Sequence, residues 1–218
     1  MVQITKKAKV IAFAGLDGAG KSTQCELLAQ HLRSNGHRTV VFRNESLQPV
    51  KGALDDVARR RGFDDHIEML SPSRAYLLTA LFKWNGMLHA VEHIETPEQF
   101  VIMDRYASCY VAAGHGSLPE HVSLVRALFA AFPPPDLTIY LDISSADASR
   151  RLTSRGTGPT RVELMDASTR GYRELPEFET FAVVPGARAV DEVLDQVRDI
   201  VCSRFQLAPA AAPGGGPG

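Results

Sequence analysis

Short apolar runs alternate along the chain with longer segments in which apolar residues recur every three or four positions. Four runs predict strands, at 10–14 (VIAFA), 39–42 (TVVF), 100–103 (FVIM) and 137–141 (LTIYL), and a fifth, short strand is predicted at 181–184 (FAVV). The first of them is expected to be buried on both faces of its sheet. Helical spacing is typical of the segments 21–35, 49–61, 71–95, 146–154, 190–205 and a segment that starts at Pro119.

Several residues mark where the predicted helices begin and end. Gly36 and Gly62 follow the first two helices, because glycine readily adopts the left-handed conformation that terminates a helix. Ser71 before Pro72 predicts a helix start, with serine as the capping residue and proline at the first helical position. Strands that alternate with helices predict an α/β fold, in which a parallel five-stranded sheet carries helices on both faces.

The length and composition predict one soluble domain. The chain has 218 residues, of which 1–207 are predicted to form a single domain. Residues 208–218 contain only alanine, proline and glycine, and we expect them to form a disordered tail. A net charge of −1 gives no general attraction to nucleic acid, so no nucleic acid polymer is expected as a partner.

The same sequence favours a location in the cytoplasm. No signal peptide precedes the first strand, and no apolar run approaches the roughly 18 residues of a membrane span, so no membrane association is expected. The three cysteines, Cys25, Cys109 and Cys202, lack metal-binding spacing. Such sparse, unpaired cysteines are typical of a reducing compartment.

The segment after the first strand matches the phosphate-binding pattern G-x-x-x-x-G-K-[ST] without a mismatch. Glycines allow the backbone N–H groups to point at phosphate oxygens, and the following helix adds its positive N-terminal end. Lys21 is predicted to contact the β- and γ-phosphates of a nucleoside triphosphate, and Ser22 is predicted to bind Mg²⁺. The predicted ATP-binding residues of this loop are Gly15, Gly18, Ala19, Gly20, Lys21, Ser22 and Thr23.

A second acidic candidate, Asp104, follows the apolar strand 100–103. Ligands bind at the carboxyl ends of the strands of a parallel sheet, so we expect Asp104 beside the phosphate loop. There it would hold a magnesium-bound water or orient the attacking oxygen of an acceptor. Arg105 comes next and is suited to bind an acceptor phosphate with two parallel hydrogen bonds.

A basic cluster surrounds a glycine-rich loop near residue 155. Its arginines are Arg150, Arg151, Arg155 and Arg161. Phosphoryl transfer needs the charge on the transferring oxygens to be neutralised and water to be excluded, and a mobile lid with arginines does both. The sequence therefore predicts a lid at about 155–162.

These segments together resemble the thymidylate kinase family of P-loop nucleoside monophosphate kinases. The resemblance rests on FAGLDGAGKSTQ, on Phe42-Arg43, on VIMDRY at 101–106 and on PDLTIYLDISSADASRRLTSRG at 135–156, with weaker likeness near Arg170 and Arg188. It covers nearly all of the chain except the tail. It implies a three-layer α/β/α P-loop kinase fold, ATP and Mg²⁺ as cofactors, a homodimer and a role in nucleotide biosynthesis.

The resemblance also implies roles for individual residues. Asp17 would lie near the acceptor sugar and the metal, Arg105 would hold the acceptor phosphate, and Arg151 and Arg188 would lie near adenine. The loop 15–22 has no additional basic residue among its variable positions, as in the subgroup whose catalytic arginine lies in the lid. The candidates for that arginine are Arg155 and Arg161.

The acceptor pocket departs from the pattern of the family. An aromatic residue and an arginine of the base-binding helix are replaced here by Thr79 and Lys83. The pair that follows Asp-Arg-Tyr in the family falls on Ala113 and Gly114, and the second-strand Glu-Pro falls on Asn44-Glu45. Phe82, Trp84 and Tyr110 are candidates to replace the lost aromatic surface. The predicted acceptor-binding residues are Asp17, Arg43, Thr79, Lys83, Arg105 and Tyr110.

The predicted function is ATP-dependent phosphorylation of a nucleoside monophosphate, with dTMP converted to dTDP. Because the pocket is altered, a related kinase that acts on a different nucleotide, nucleoside or specialised metabolite is an alternative. A second alternative is a regulator that binds ATP without turnover, although its expected mark would be the loss of Lys21, Asp104 or Arg105, and all three are present.

Overall fold

A computed structural model describes residues 4–44, 47–97, 99–156 and 162–207 of the chain. The tail predicted at 208–218 lies outside the described residues, and so do Glu45, Arg161 and most of the predicted lid. The boundaries of the single predicted domain therefore stay a prediction.

A parallel five-stranded sheet forms the centre of the molecule. Its strands are β1 (Lys9–Gly15), β2 (Thr39–Arg43), β3 (Phe100–Asp104), β4 (Leu137–Asp142) and β5 (Ala182–Pro185). They lie in the order β2-β3-β1-β4-β5, and all four neighbouring pairs are parallel. Parallel neighbours require crossover connections, which helices provide here. The predicted α/β fold with five parallel strands is confirmed.

Helices cover both faces of this sheet. They are α1 (Lys21–Ser34), α2 (Gln48–Arg60), α3 (His66–Leu70), α4 (Pro72–Leu88), α5 (Val91–Glu95), α6 (Ala107–Ser117), α7 (Val122–Phe129), α8 (Ser145–Ser154), α9 (Val162–Arg173) and α10 (Val190–Phe205). Short 3₁₀ turns occupy Pro119–His121 and Pro176–Thr180.

Alternate residues of β1 belong to two separate cores, one on each face. Val10, Ala12 and Ala14 pack into the core formed with α4 to α7, whereas Ile11 and Phe13 pack into the core formed with α1 and α10. Side chains of a strand point to opposite faces in turn, so a strand that is apolar at every position must be covered on both sides. This arrangement is the predicted three-layer α/β/α fold.

The prediction of one helix over 71–95 is wrong. The segment forms two helices, because the backbone N–H groups of His89 and Ala90 bond three residues back, to Gly86 and Met87, and tighten the chain at that point. Ser71 precedes the helix as predicted, but its side chain forms no capping hydrogen bond, and its φ is 72°.

Three helices were not predicted from the sequence: α3, α6 and α9. Glycines in α6 and α9 weaken the helical signal, yet they allow these two helices to touch. A Cβ on Gly116 would lie 1.9 Å from the carbonyl oxygen of Ala167, and one on Gly171 would lie 1.9 Å from that of Ala112. The helix predicted to start at Pro119 begins as a 3₁₀ turn and continues as α7.

Within the ranges that the structure describes, no helix combines the length and the apolar character needed to cross a membrane.

Candidate nucleotide-binding and acceptor site

The loop between β1 and α1 is built around three glycines with positive φ. Gly15, Gly18 and Gly20 have φ values of 125°, 87° and 97°, which residues with a Cβ rarely adopt. A Cβ on Gly15 would also lie 2.6 Å from the carbonyl oxygen of Leu141, and one on Gly18 would lie 2.6 Å from that of Ala148. The loop therefore needs glycine for its conformation and for its contact with β4 and α8.

Lys21 is buried at the base of this loop, with 5% of its side chain exposed. Its Nζ donates a hydrogen bond to the carbonyl oxygen of Leu16 at 2.6 Å and lies 3.9 Å from Oδ1 of Asp17. Burial, followed by the nearby charge of Arg105, lowers the pKa of Lys21 to about 8. A phosphate bound at the loop would supply the anion that this ammonium group needs.

Ser22 and Asp104 come together across the end of the sheet. The Ser22 hydroxyl donates to Oδ2 of Asp104 at 2.5 Å, because Asp104 ends β3 directly beside Phe13 of β1. Hydroxyl and carboxylate oxygens are ligands that Mg²⁺ accepts together with water and phosphate oxygens. The pair thus fits the predicted metal-binding role.

Arg105 is held by the backbone and by Asp17. Its own φ is 80°, and its N–H donates to the carbonyl oxygen of Phe13 at 3.1 Å. Its guanidinium forms an ion pair with Asp17. Loss of hydration alone would raise the pKa of Asp17, but the charges of Arg105 and Lys21 lower it below its ordinary value. The pair keeps the Arg105 guanidinium at the mouth of the loop.

A cavity of about 230 Å³ lies over the phosphate loop. It is lined by Asp17, Gly18, Gly20, Lys21, Ser22, Thr23, Arg43, Asn44, Lys83, Asp104, Arg105, Leu152 and Arg155. Most predicted catalytic residues therefore converge here, and Arg155 is the lid candidate that does so. Arg161 lies outside the described residues.

A neighbouring cavity of about 320 Å³ contains the two arginines predicted to lie near adenine. Arg151 and Arg188 both line it, together with Ala19, Gly20 and Thr23 of the loop. The Arg151 guanidinium donates to the carbonyl oxygens of Gly186 and Ala187, at 3.0 and 3.3 Å. These bonds fix its planar group beside the segment after β5.

The largest of these cavities, about 500 Å³, lies on the other side of Asp17 and Arg105. Its walls include the predicted acceptor residues Thr79, Lys83 and Tyr110. Burial and the charges of Arg105 and Lys51 lower the pKa of Lys83. A concave site of this size, with several cations and two tyrosines, suits an anionic ligand that carries a flat ring.

Two predicted acceptor residues, Arg43 and Thr79, have side chains that are already engaged by other groups of the chain. Arg43 does not line the acceptor cavity; it lines the phosphate cavity and forms an ion pair with Glu26, 2.9 Å between Nη2 and Oε1. The Thr79 hydroxyl donates to the carbonyl oxygen of Ala75 in its own helix, at 2.9 Å.

Of the three aromatic residues considered as replacements, Tyr110 is the one found among the described lining residues. Trp84 instead packs against Phe132 with a ring distance of 6.2 Å, and Phe82 is 39% exposed on α4. The Tyr110 hydroxyl is buried, and the Asn44 side chain lies close to it.

Several lining residues were missed from the sequence. They are Leu47, Lys51, Cys109, Leu164, Met165, Ser168 and Tyr172. Tyr172 is buried, and its hydroxyl accepts a hydrogen bond from the Gly15 N–H at 3.3 Å. The spacing of residues 164, 165, 168 and 172 is that of one helix face, and it is the signal that could have located α9 at the site.

Comparison with known proteins finds one matching family. The sequence model described as thymidylate kinase matches residues 13–205. The chain is 28% identical to the thymidylate kinase of Thermosipho africanus over 207 residues, 90% of this chain and 98% of the relative. It is 29% identical to that of Ruegeria pomeroyi over 205 residues, 89% and 95% of the two chains.

An archaeal relative matches over a similar length. The chain is 24% identical to a probable thymidylate kinase of Sulfurisphaera tokodaii over 197 residues, which cover 89% of this chain and 96% of the relative. Since the family model covers most of the chain and includes the phosphate loop and Asp104, this chain belongs to the thymidylate kinase family.

Proposed function

We propose that this protein transfers the γ-phosphoryl group of ATP to dTMP and forms dTDP and ADP. The observation that carries the proposal is that the phosphate cavity and the acceptor cavity share Asp17, Lys83 and Arg105. A donor phosphate on the loop and an acceptor phosphate at Arg105 would thus meet at a common wall. Membership of a family of thymidylate kinases gives the acceptor its identity.

On the donor side, the loop N–H groups and Lys21 bind the β- and γ-phosphates, and Arg151 and Arg188 lie beside adenine. Ser22 and Asp104 would hold Mg²⁺, which supplies positive charge to the phosphates when it is bound. Arg155 closes over the γ-phosphate and stabilises the charge on the transferring oxygens. Arg161 is a second candidate for that role.

On the acceptor side, Arg105 binds the phosphate of the nucleotide, and Asp17 keeps the guanidinium in place. An oxygen of the acceptor phosphate attacks the γ-phosphorus in line while the bond to the β-phosphate oxygen breaks, and ADP leaves. Thr79, Lys83 and Tyr110 surround the base. Lys83 offers a point charge and flexible donors where an arginine would offer a planar fork, so base recognition depends more on the tyrosine.

The altered base pocket supports a second candidate, a kinase of this family that acts on a different nucleotide, nucleoside or specialised metabolite. The specific observation is the pair Thr79 and Lys83, because the threonine hydroxyl is already bonded to Ala75 and presents no ring for stacking. Regulation by ATP binding without turnover is the third candidate.

We further propose that the chain works as a homodimer in the cytoplasm, as one domain with a lid at about 155–162. Leu81, Phe82 and Leu88 of α4 are 53%, 39% and 39% exposed, and they would be covered by a second copy. No nucleic acid polymer or membrane is proposed as a partner.

The first experiment measures ADP release by a coupled assay, with ATP and Mg²⁺ and a panel of acceptors. The panel contains dTMP, dUMP, the other nucleoside monophosphates and free nucleosides. Preferred turnover of dTMP, at the 1–100 per second usual for kinases, is the expected result. If the protein turns over another panel member faster than dTMP, that compound is its acceptor. If it binds ATP but turns over no member of the panel, a regulatory role that depends on ATP binding is favoured.

A further inference from the structure

Asn44 follows β2 directly, and its side chain contacts two of the helices that form the acceptor cavity. β2 ends at Arg43, which lies beside Asp104 of β3. Ligands of a parallel sheet bind at this edge, where the strands end. Asn44 accordingly lines the phosphate cavity, and its side chain is half-buried.

The first contact ties Asn44 to the C-terminal part of α4. Its amide nitrogen, Nδ2, donates a hydrogen bond to the backbone carbonyl oxygen of Lys83 at 2.6 Å. The side chain of Lys83 lines both the phosphate cavity and the acceptor cavity. When the carbonyl group of a helical residue is held in place, the start of its side chain is held as well. The bond therefore sets the position from which Lys83 reaches into the site.

A glycine of α4 leaves room for this side chain. A Cβ built on Gly86 would overlap Oδ1 of Asn44 and would lie 2.9 Å from its Cγ. The three heavy atoms nearest to that Cβ all belong to Asn44. Atoms that are not bonded to each other pack best at about 3.5–4.0 Å, so a methyl group and the Asn44 amide cannot occupy this place together. The amide of Asn44 thus fits against the helix at the position where α4 has no side chain.

The second contact of Asn44 is with Tyr110 of α6. Burial raises the pKa of the Tyr110 hydroxyl, and the interaction with the Asn44 side chain opposes part of that rise. The ring of Tyr110 stacks on Phe129, with ring centres 5.1 Å apart and an angle of 19° between the planes. Asn44 therefore contacts the polar end of a ring that lines the acceptor cavity, while Phe129 supports the face of that ring.

From these contacts we propose that Asn44 is a positioning residue for the acceptor, which holds Lys83 and Tyr110 at a fixed distance from each other. The inference rests on the proposed function, because that function assigns Lys83 and Tyr110 to the acceptor base. Lys83 belongs to α4, which tightens and ends at the break beside His89, and Tyr110 belongs to α6. Loss of Asn44 lets this end of α4 shift relative to α6, and an acceptor base at this wall then loses contacts.

The test is the steady-state kinetics of Asn44→Ala with dTMP and ATP. We expect the KM for dTMP to rise about fivefold, the usual effect of losing one hydrogen bond. The kcat and the KM for ATP should change less than about twofold, because contacts that are equal in the ground state and the transition state affect the acceptor KM alone. Asn35→Ala is the matched control, since Nδ2 of Asn35 donates to the carbonyl oxygen of His31 at 2.8 Å, outside both cavities. It should leave all three constants unchanged.

Gly86→Ala disturbs the same contact from the side of the helix. Its methyl group displaces the Asn44 amide, which is the end of a flexible side chain, so α4 itself need not move. The KM for dTMP should again rise about fivefold. In the double variant Asn44→Ala/Gly86→Ala the methyl group has room, so its KM for dTMP should lie within about twofold of that of Asn44→Ala alone. Thermal melting of each variant verifies that it is folded.

The inference is overturned if folded Asn44→Ala keeps the KM for dTMP of the unaltered chain, or if its KM for ATP rises by the same factor. It is also overturned if Gly86→Ala raises the KM equally with and without Asn44, because the effect would then not pass through that side chain.

Failure of the proposed function would show in the unaltered chain itself, as absent turnover of dTMP. The same variants are then compared with the panel acceptor that the unaltered chain does turn over. If it turns over none, calorimetric titration with dTMP gives dissociation constants in place of KM values, and equal constants for the unaltered chain and Asn44→Ala overturn the inference.

Discussion

Lys21 carries a positive charge at a position from which water is nearly excluded. Its pKa of about 8 lies below that of an unfolded lysine, about 10.4, so the charged form is less favourable in the folded chain. Below pH 8 the folded state carries the full free-energy cost of burying the charged ammonium group. Between pH 8 and about 10.4 the penalty decreases, because the folded chain has released this proton and the unfolded chain has not.

We therefore predict that Lys21→Met increases the free energy of unfolding of the nucleotide-free protein at pH 7 by about 1–2 kcal/mol. The estimate takes a shift of roughly two pKa units at about 1.4 kcal/mol each and subtracts about 1 kcal/mol for the lost bond to Leu16. Turnover should fall at least about 100-fold, since a group that stabilises the transferring phosphates is removed.

Thermal and urea unfolding at pH 7 and at pH 10 measure the first effect, and the ADP-release assay measures the second. The stability advantage of Lys21→Met should shrink at pH 10. An advantage that is the same at both pH values would show that the ammonium charge is not its cause, and retained turnover would remove Lys21 from the site.

Arg155 is the described lid candidate that lines the phosphate cavity. We predict that Arg155→Ala lowers kcat by about 10²–10³, the usual cost of losing one group that stabilises transition-state charge, with little change in the KM for ATP. The matched control is Arg150→Ala on α8, the helix that Arg155 directly follows, because Arg150 is 79% exposed and forms its ion pair with Asp147.

Steady-state kinetics of Arg155→Ala and Arg150→Ala give the kcat and the KM for ATP of each variant. Unchanged kcat in Arg155→Ala would assign the catalytic role to Arg161 or to a residue outside the lid. An equal loss in Arg150→Ala would indicate a general effect of charge on this helix.

At the level of elements, the contact between α6 and α9 shapes the acceptor cavity. α6 contributes Cys109, Tyr110 and Ala113 to the cavity, and α9 contributes Ser168 and Tyr172. Tyr172 also accepts a hydrogen bond from the first glycine of the phosphate loop. The distance between the two helices is set by glycines, so a single methyl group at the contact should disturb both the fold and the site.

We predict that Gly171→Ala lowers the free energy of unfolding by about 1–3 kcal/mol or more, because its Cβ would lie 1.9 Å from a backbone oxygen that cannot move freely. Gly52→Ala is the control, since Gly52 lies in α2 and nothing is within 4 Å of its added Cβ. That change should stabilise the chain by roughly 0.5–1 kcal/mol.

Urea unfolding of Gly171→Ala and Gly52→Ala measures the two predicted changes in the free energy of unfolding. The folded fraction of Gly171→Ala should also show a raised KM for the acceptor, whereas Gly52→Ala should not. Similar stabilities for the two variants would mean that α6 and α9 do not touch as described.

For the whole molecule, the proposed homodimer makes a prediction about α4. Leu81 and Leu88 are seven residues apart and therefore lie on one face of the helix, and both are exposed. A charged residue in a buried apolar interface is costly, so Leu81→Glu should convert the dimer to a monomer. Leu124→Glu is the matched control, because Leu124 is 57% exposed on α7.

Sedimentation velocity at micromolar concentration distinguishes the two outcomes. The unaltered chain and Leu124→Glu should sediment as dimers, and Leu81→Glu should sediment as a monomer. A monomeric unaltered chain would disprove the proposed dimer, and a dimeric Leu81→Glu would place the interface on another surface.

The sequence by itself determined the five strands, their α/β arrangement and the phosphate loop. Each of these depends on local chemistry: the central strands β1, β3 and β4 are buried on both faces and so are apolar at nearly every position, and the loop needs glycines before Lys21 and Ser22. Asp104 could be placed beside the loop for the same reason, because parallel strands end at one edge of the sheet.

Only the tertiary structure decided the acceptor side. In the folded chain Trp84 packs against Phe132, Arg43 pairs with Glu26, and Tyr172 of α9 lies at the phosphate loop. These outcomes depend on how close α6 and α9 approach each other and on the break at His89, which no local pattern specifies. Residues distant in sequence share the cavity because packing, which optimises the whole core at once, sets their distances.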